Sequence, residues 1–269
     1  MSSTVRHAAL EILRRVQAQR LDLANAQAQI RPRLIDKRDR ALATEIVIGT
    51  LRWRAKLDFI IQKASSRPLN RIDADLLDLL RLSAYQLLHL DRVPAHAVVY
   101  EAVNLAAQLG KKSASPFINA VLRTIEREME SQQLPARPTD LQQTNQNSIL
   151  DYLSITQSHP RWLMERWCDR YGADATIMWT VFNNAVAPIT LRVNTLKRST
   201  SRLAEELLAY GIETRPSMWS PHALIVTRGN PHDSPLASQG LFWLQDEASQ
   251  LIGELVAAKP GDKILDTCA

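Results

Sequence analysis

Apolar residues in the first half of the chain recur every three or four positions, which is the spacing of one face of an α-helix. One such stripe predicts a single helix over residues 40–61 and consists of Leu42, Ile46, Thr50, Trp53, Leu57 and Ile61. Further helices are predicted over residues 4–20, 22–30, 73–90, 94–109 and 115–128. The pattern contains no strand, so about six helices in an all-α bundle are expected here.

Residues at the ends of these segments support their boundaries. Asp73 is placed to cap the helix that it begins, and Pro94 fits the first position of the next helix. Gly110 can adopt the left-handed conformation that ends a helix. The segment from Gln132 to Asn147 has two prolines, several amides and few large apolar residues. It predicts a linker over residues 133–150, after a helical domain at residues 1–132.

Shorter elements alternate beyond the linker. Helices are predicted over residues 159–171, 175–184, 202–210 and 247–258, and strands over residues 189–193, around Ile212, and over residues 223–227, 241–244 and 263–269. Gly211 is placed to end the third of these helices and Asp246 to cap the fourth. The predicted fold class is therefore α+β multidomain, with a helical bundle followed by a small α+β module at residues 151–238.

The last predicted elements, residues 239–269, have a different character. A helix, a Pro-Gly turn and a strand ending in Asp-Thr-Cys-Ala begin a doubly wound α/β domain, whose ligand loop follows the strand. That loop is missing, so we expect an incomplete α/β stub. Its strand has no partner for a parallel sheet, and the helix before it should expose an apolar face.

Charge is concentrated in the first half of the chain. The whole chain carries +5, yet residues 1–130 hold 21 basic and 14 acidic side chains, whereas residues 131–269 hold 12 and 14. Eight of the basic residues lie between Arg31 and Lys56. A basic face of this size would attract a polyanion such as nucleic acid, although a solvated helix face is an equal alternative from charge alone.

Composition excludes several other classes of protein. The apolar and charged fractions, 45% and 23%, are those of a globular chain. Two cysteines cannot build a disulfide framework, and charged residues near the N-terminus argue against a signal peptide, so a cytoplasmic location without a membrane span is expected. The six histidines have no metal-ligand spacing, and the glycines are not grouped into a phosphate loop.

Two family resemblances occur in series. The segments DKRDRALATEIVIGTLRWR, LLDLLRLSAYQLLHLDRVPAHAVVYEAVNLAAQLG and SPFINAVLR resemble the NusB-like RNA-binding domain. The segments LRVNT, GLFWLQDEASQLIGEL and PGDKILDTCA resemble the beginning of a bacterial ribosomal RNA cytosine-5 methyltransferase of the RsmB (Sun/Fmu) type. The resemblance covers nearly the whole chain.

The resemblance implies S-adenosylmethionine as cofactor and a cytosine of small-subunit ribosomal RNA as substrate. The reaction requires a cysteine thiolate that adds to carbon 6 of the base. The family's two functional cysteines come from motifs beyond this sequence. Cys268 and Ala269 match the start of the first cofactor motif, where the cysteine is not the nucleophile. The other cysteine, Cys168, is better explained as a packed helix residue.

Candidate RNA contacts are basic or amide side chains. In the helical half they are Arg6, Arg14, Arg15, Arg38, Arg40, Arg52, Arg54, Lys56, Lys111 and Lys112. In the second half Arg192 and Asn194, from LRVNT, match a family motif near the RNA-facing surface. Each residue alone is more easily explained as a solvent-exposed residue, or for Arg192 as part of a strand, whereas the group could supply phosphate contacts.

Three hypotheses follow. The chain is the N-terminal, RNA-binding portion of a ribosomal RNA methyltransferase that is inactive alone, or a NusB-like factor in transcription antitermination or regulation. The third hypothesis is that the chain is a shortened reading frame, or one part of a split enzyme with a complementing C-terminal fragment. The second hypothesis leaves LRVNT, QDEAS and KILDTCA without a purpose.

Overall fold

The computed structural model describes residues 2–18, 21–128, 134–141 and 143–267. The chain divides into two compact units, Met1–Ala185 and Val186–Ala269. We refer to them as the helical unit and the sheet unit. The expected order, a helical bundle followed by a small α+β module, is confirmed.

The described residues of the helical unit form ten α-helices. They are α1 Ser2–Gln17, α2 Leu23–Ile30, α3 Lys37–Arg52, α4 Arg54–Ser65, α5 Ala74–His89, α6 Ala95–Gln108, α7 Ser115–Arg127, α8 Gln146–Asp151, α9 Arg161–Tyr171 and α10 Ala173–Asn184. Helix α5 is central, because α1, α3, α4, α6 and α7 all pack against it. It is buried on every side from Leu76 to Leu87, as expected for a helix that is surrounded by others.

The predicted helix ends are mostly confirmed. Asp73 accepts hydrogen bonds from the backbone N–H groups of Asp75 and Leu76, as a cap should. Gly110 has a positive φ of 75° after α6. Pro94 is the residue before α6 rather than its first helical residue, since its ψ of 133° is extended.

The single helix predicted over residues 40–61 is wrong. Trp53, with φ −96° and ψ 17°, separates α3 from α4. The backbone N–H of Ala55, which has no intrahelical acceptor at the start of α4, donates to Ser158 Oγ at 2.8 Å. The apolar stripe continues across the break, so the hydrophobic pattern gave no sign of two helices. The bond that supports the start of α4 comes from Ser158, more than a hundred residues away, and could not be read from the pattern.

A second, smaller core lies in the helical unit. It is formed by α8, α9, α10 and the π-helix Tyr152–Thr156, and its buried residues include Leu150, Leu153 and Met164. Helix α8 begins at Gln146, inside the segment expected to be a linker, and its buried residues Ile149 and Leu150 explain why it is ordered by packing.

The sheet unit contains one antiparallel sheet in the order β2-β3-β1-β4. Its elements are β1 Thr190–Val193, α11 Thr200–Ala209, β2 Glu213–Pro216, β3 Ala223–Arg228, β4 Phe242–Leu244 and α12 Glu247–Val256. Leu191, Val193 and Phe242 point to one face, where they pack with Leu203 and Leu207 of α11. Gly211 and Asp246 act as predicted, by a positive φ of 74° and by accepting a bond from Ala248 N–H.

The predicted strand over residues 263–269 is wrong where the structure describes it. Residues 263–267 have no regular secondary structure, and Ile264 and Leu265 are 62% and 84% exposed. A strand needs a neighbour to satisfy its backbone groups, and no described strand pairs with this segment. The exposed apolar face expected on α12 is present at Ile252, Leu255 and Val256. Because β4 pairs with β1, the boundary expected after residue 238 falls inside one sheet.

Candidate nucleic-acid interface

Three predicted cations on α3 are available for contacts with a ligand. Arg38 is exposed in the first turn of α3, and Arg40 and Arg52 are half-buried. None of the three guanidinium groups forms an ion pair with a residue that the structure describes. Arg38 and Arg52 are 14 positions apart, close to four full turns, and so lie on the same side of α3.

The C-terminal end of α3 adjoins an aromatic stack. The Trp53 ring lies on the His89 ring, with centroids 5.3 Å apart, and His89 lies on Tyr85 at 5.1 Å. The Lys56 ammonium is 5.2 Å from the centroid of Trp53. Tyr85 donates to Glu45 Oε1 at 2.5 Å. The stack therefore joins α3, α4 and α5, and both Trp53 and Lys56 are engaged within the protein.

Burial shifts the pKa values of the titratable groups in this stack. It lowers the pKa of His89 to about 4, and the positive charge of Lys56 adds to the effect. Burial also lowers the pKa of Lys56 and, together with the bond to Glu45, raises the pKa of Tyr85. At neutral pH His89 is an uncharged ring, so it gives this surface no positive charge.

Arg54 lies beside a buried charge network. Its Nε is 3.9 Å from Asp58 Oδ2, while Arg81 donates from Nε to Asp58 at 2.6 Å and from Nη1 to Asp78 at 2.9 Å. Arg81 is only 7% exposed in its side chain. Burial raises the pKa of Asp78 despite the neighbouring guanidinium. Arg81 thus neutralises two carboxylates inside the helical unit, and Arg54 remains exposed at the edge.

The surface position expected for Arg6 is wrong. Arg6 is 5% exposed, and its Nε donates to Gln86 Oε1 of the central helix at 2.7 Å. Burial lowers the pKa of this guanidinium. Because the side chain is enclosed between α1 and α5, we remove it from the set of candidate RNA contacts.

The other predicted cations of the helical unit differ in their partners. Arg14 pairs with Asp75 at 2.6 Å, and Arg15 with Glu11 at 2.5 Å. Lys111 pairs with Asp73 and with Asp75, which raises the pKa of the Lys111 ammonium. Lys112 is exposed and has no ion pair among the described residues. Arg38, Arg40, Arg52 and Lys112 are therefore the most available of the predicted set.

In the sheet unit, Arg192 and Asn194 lie at the edge of a cleft. Arg192 Nη1 donates to Gln245 Oε1 at 3.1 Å, and Asn194 Nδ2 donates to the carbonyl of Gly240 at 2.9 Å. The cleft has a volume of about 620 Å³ and is also lined by His222 and Trp243. Sequence reasoning missed both of these. No signal in the sequence indicated Trp243, because only the pairing of β4 with β1 places it opposite Arg192.

Cys168, the cysteine that the structure describes, is not an evident nucleophile. Burial raises the pKa of the Cys168 thiol, which disfavours the thiolate. Cys268 and Ala269, the predicted cofactor contacts, lie outside the described residues. Within the described ranges no three His, Cys, Asp or Glu side chains group as metal ligands. The same ranges contain no helix long and apolar enough to pass through a bilayer.

Two segments of the chain match known protein families. Residues 3–127 match the NusB family, and residues 159–233 match the Methyltr_RsmF/B-like, ferredoxin-like domain. The crystal structure of PH0851 shares the fold, with a TM-score of 0.65 and 20% identity over 97% of this chain and 57% of that one.

Relatives with curated names match nearly all of this chain, but only part of their own length is covered. The probable ribosomal RNA small subunit methyltransferase B of Bacillus subtilis is 30% identical over 99% of this chain and 58% of its own length. The ribosomal RNA small subunit methyltransferase B of Proteus mirabilis is 32% identical over 100% of this chain and 60% of its own length. A putative methyltransferase of Mycobacterium tuberculosis is 35% identical over 98% of this chain and 57% of its own length. The chain thus spans less than two thirds of the length of these relatives.

The chain joins a NusB family domain to an RsmF/B-like ferredoxin-like domain, and its homologues include the ribosomal RNA small subunit methyltransferases B.

Proposed function

We propose that this chain is the RNA-binding portion of a cytoplasmic, S-adenosylmethionine-dependent methyltransferase that modifies a cytosine of small-subunit ribosomal RNA at carbon 5. Its partner is small-subunit ribosomal RNA. The observation that carries the proposal is the combination of a NusB domain with an RsmF/B-like ferredoxin-like domain in one chain. Each domain presents a basic side chain that has no acidic partner among the described residues, Arg38 on α3 and Arg192 on β1.

Phosphate attraction is the physical basis for RNA binding. Guanidinium groups that have no acidic partner can pair with phosphate without first breaking an ion pair. On α3, Arg38, Arg40 and Arg52 have no acidic partner in the described part of the chain. Each phosphate contact with single-stranded RNA lowers the slope of log Kobs against log salt concentration by about 0.7.

These 269 residues do not transfer the methyl group by themselves. The reaction needs an activated thiolate, and burial raises the pKa of the Cys168 thiol. Cys268 matches a cofactor motif in which the cysteine is not the nucleophile. Cys268 and Ala269, which the resemblance places at the cofactor, lie outside the described residues. The role proposed for the described residues is therefore the binding of RNA.

The first test measures the binding of the full chain to a small-subunit ribosomal RNA fragment at several salt concentrations. The variant Arg38→Gln/Arg40→Gln/Arg52→Gln should bind roughly 10-fold more weakly, with a salt slope smaller by about 2. The control Arg123→Gln/Arg127→Gln/Arg202→Gln loses the same charge from exposed arginines that have acidic neighbours. An equal loss in both variants would contradict a specific role for α3, and absence of binding by the unaltered chain would contradict the proposed function.

The second test incubates the purified chain with S-adenosylmethionine and small-subunit ribosomal RNA. We expect no 5-methylcytosine above background, and appreciable product would contradict the absence of activity. The NusB match also favours a second candidate, a factor in transcription antitermination. Retention of transcription elongation factors in place of ribosomal RNA in a pull-down would support that candidate over the methyltransferase assignment.

A further inference from the structure

An open cleft in the sheet unit combines an aromatic ring with polar groups. It lies where β1 and β4 meet the turn before β3, and its volume is about 620 Å³. Arg192, Asn194, His222, Trp243 and Gln245 are among the described lining residues, and none of these is Asp or Glu. A volume of 300–1,000 Å³ is typical of sites that enclose a small molecule or one unit of a polymer.

Trp243 presents a free aromatic face to this cleft. It is directly opposite Arg192 in the β1–β4 register, so both side chains project from the same face of the sheet. Trp243 is 54% exposed, and no described aromatic ring stacks on it. Because the ring lines the cleft, its exposed face is accessible to a ligand there.

The polar groups around the ring are held in place but not saturated. Gln245 fixes one nitrogen of the Arg192 guanidinium at 3.1 Å, and no described carboxylate pairs with that group. The Asn194 amide is anchored through its Nδ2 to the carbonyl of Gly240. This leaves Asn194 Oδ1 and the remaining Arg192 N–H groups without a described partner. An acceptor and a set of cationic donors thus flank the indole.

We propose that this cleft binds one unpaired RNA nucleotide, whose base stacks on Trp243 and whose phosphate pairs with Arg192. The proposal rests on the proposed function and adds the form of RNA and the mode of contact. A base can stack on a side chain only when it is unstacked from its own strand, so the ligand is single-stranded. Arg192 supplies the charge-assisted bonds that a phosphate prefers.

The test compares a short single-stranded RNA with its duplex of the same sequence, each titrated against the full chain at one fixed salt concentration. Trp243→Ala should weaken binding of the single strand at least about fivefold, because one base–aromatic stack is lost. The duplex should lose less than twofold. Trp243→Phe should restore most of the affinity, since it keeps an aromatic face.

Matched controls come from the same unit. Trp219→Ala removes an indole that is 69% exposed and does not line the cleft, and it should leave the affinity unchanged. Arg192→Gln should weaken binding and reduce its salt dependence, whereas Arg215→Gln on β2 should not. Circular dichroism and the thermal midpoint confirm that each variant is folded.

The outcomes separate this proposal from the proposed function. Trp243→Ala with unchanged affinity, in a chain that still binds RNA, would overturn the cleft proposal alone. Equal losses for the single strand and the duplex would also overturn it, because stacking would not be the cause. No RNA binding by the unaltered chain would overturn both, and recovery of a protein partner sensitive to Trp243→Ala would assign the cleft to a protein.

Discussion

Each unit places a tryptophan beside a basic side chain, but the two pairs have different surroundings. In the helical unit Trp53 is covered by His89 on one side, and Lys56 lies 5.2 Å from its centroid. In the sheet unit Trp243 faces an open cleft opposite Arg192, and no described ring covers it. A tryptophan and a cation therefore stabilise the fold in one unit and face an open cleft in the other. Partners, rather than residue types, separate the two roles.

The arginines show the same contrast and give the largest expected effect. Arg81→Met leaves the Asp58 and Asp78 carboxylates without their cation, and should lower the free energy of unfolding by about 3–5 kcal/mol. Arg192→Met removes an exposed guanidinium and should change the free energy of unfolding by less than about 0.5 kcal/mol. Urea unfolding followed by circular dichroism measures both. Similar values for the two variants would remove the distinction between a structural and an available arginine.

The tryptophans give the next largest effect. Trp53→Ala removes the ring on which His89 stacks and opens the junction of α3 and α4, so we expect a loss of about 2 kcal/mol in the free energy of unfolding. Trp243→Ala should cost less than about 0.5 kcal/mol, because the ring is largely in solvent. The same urea titrations apply. A greater loss from Trp243→Ala than from Trp53→Ala would reverse the comparison.

The smallest expected effect is a dependence of stability on pH. The folded-state pKa of His89 is lowered to about 4 from 6.5, so between these values the unfolded chain binds more protons. The contribution of His89 to stability is therefore full above pH 6.5 and declines as the pH falls toward 4. Urea midpoints at pH 7.5 and 5 should differ less in His89→Phe than in the unaltered chain.

The control for this experiment is His222→Gln, which removes an exposed imidazole from the cleft of the sheet unit. It should leave the difference between the two pH values unchanged. The groups that face His89 are Lys56, Glu45 and Asp91. An unchanged pH difference in His89→Phe would show that one or more other groups govern it.

The sequence was sufficient to predict features that depend only on neighbouring residues. The Asp73 cap and the turns at Gly110 and Gly211 depend on neighbours a few residues away, and all three are confirmed. Arg6 could not be placed from sequence, because its burial depends on Gln86, 80 positions further along. The predicted strand from residue 263 failed for a similar reason, since a strand depends on partners that its own residues do not specify.

The residues of the candidate site also divide into those that the sequence predicted and those that it did not. Charge density alone indicated α3, and a family motif indicated Arg192 and Asn194. Trp243 was hidden in the apolar run Leu241–Phe242–Trp243–Leu244, where alternation does not show which side chains face solvent. Only the pairing of β4 with β1 places Trp243 opposite Arg192. Contacts with RNA remain a prediction for every cation of the set.

The bond from Ala55 N–H to Ser158 Oγ bears on how the protein can be divided. The NusB match ends at residue 127, yet the acceptor that begins α4 lies 31 positions later, and the π-helix just before Ser158 packs against α4. A fragment cut at residue 132 would leave that amide to water and uncover the flank of α4. A fragment of the helical part should therefore extend beyond Ser158, and the compact unit that contains this bond ends at Ala185.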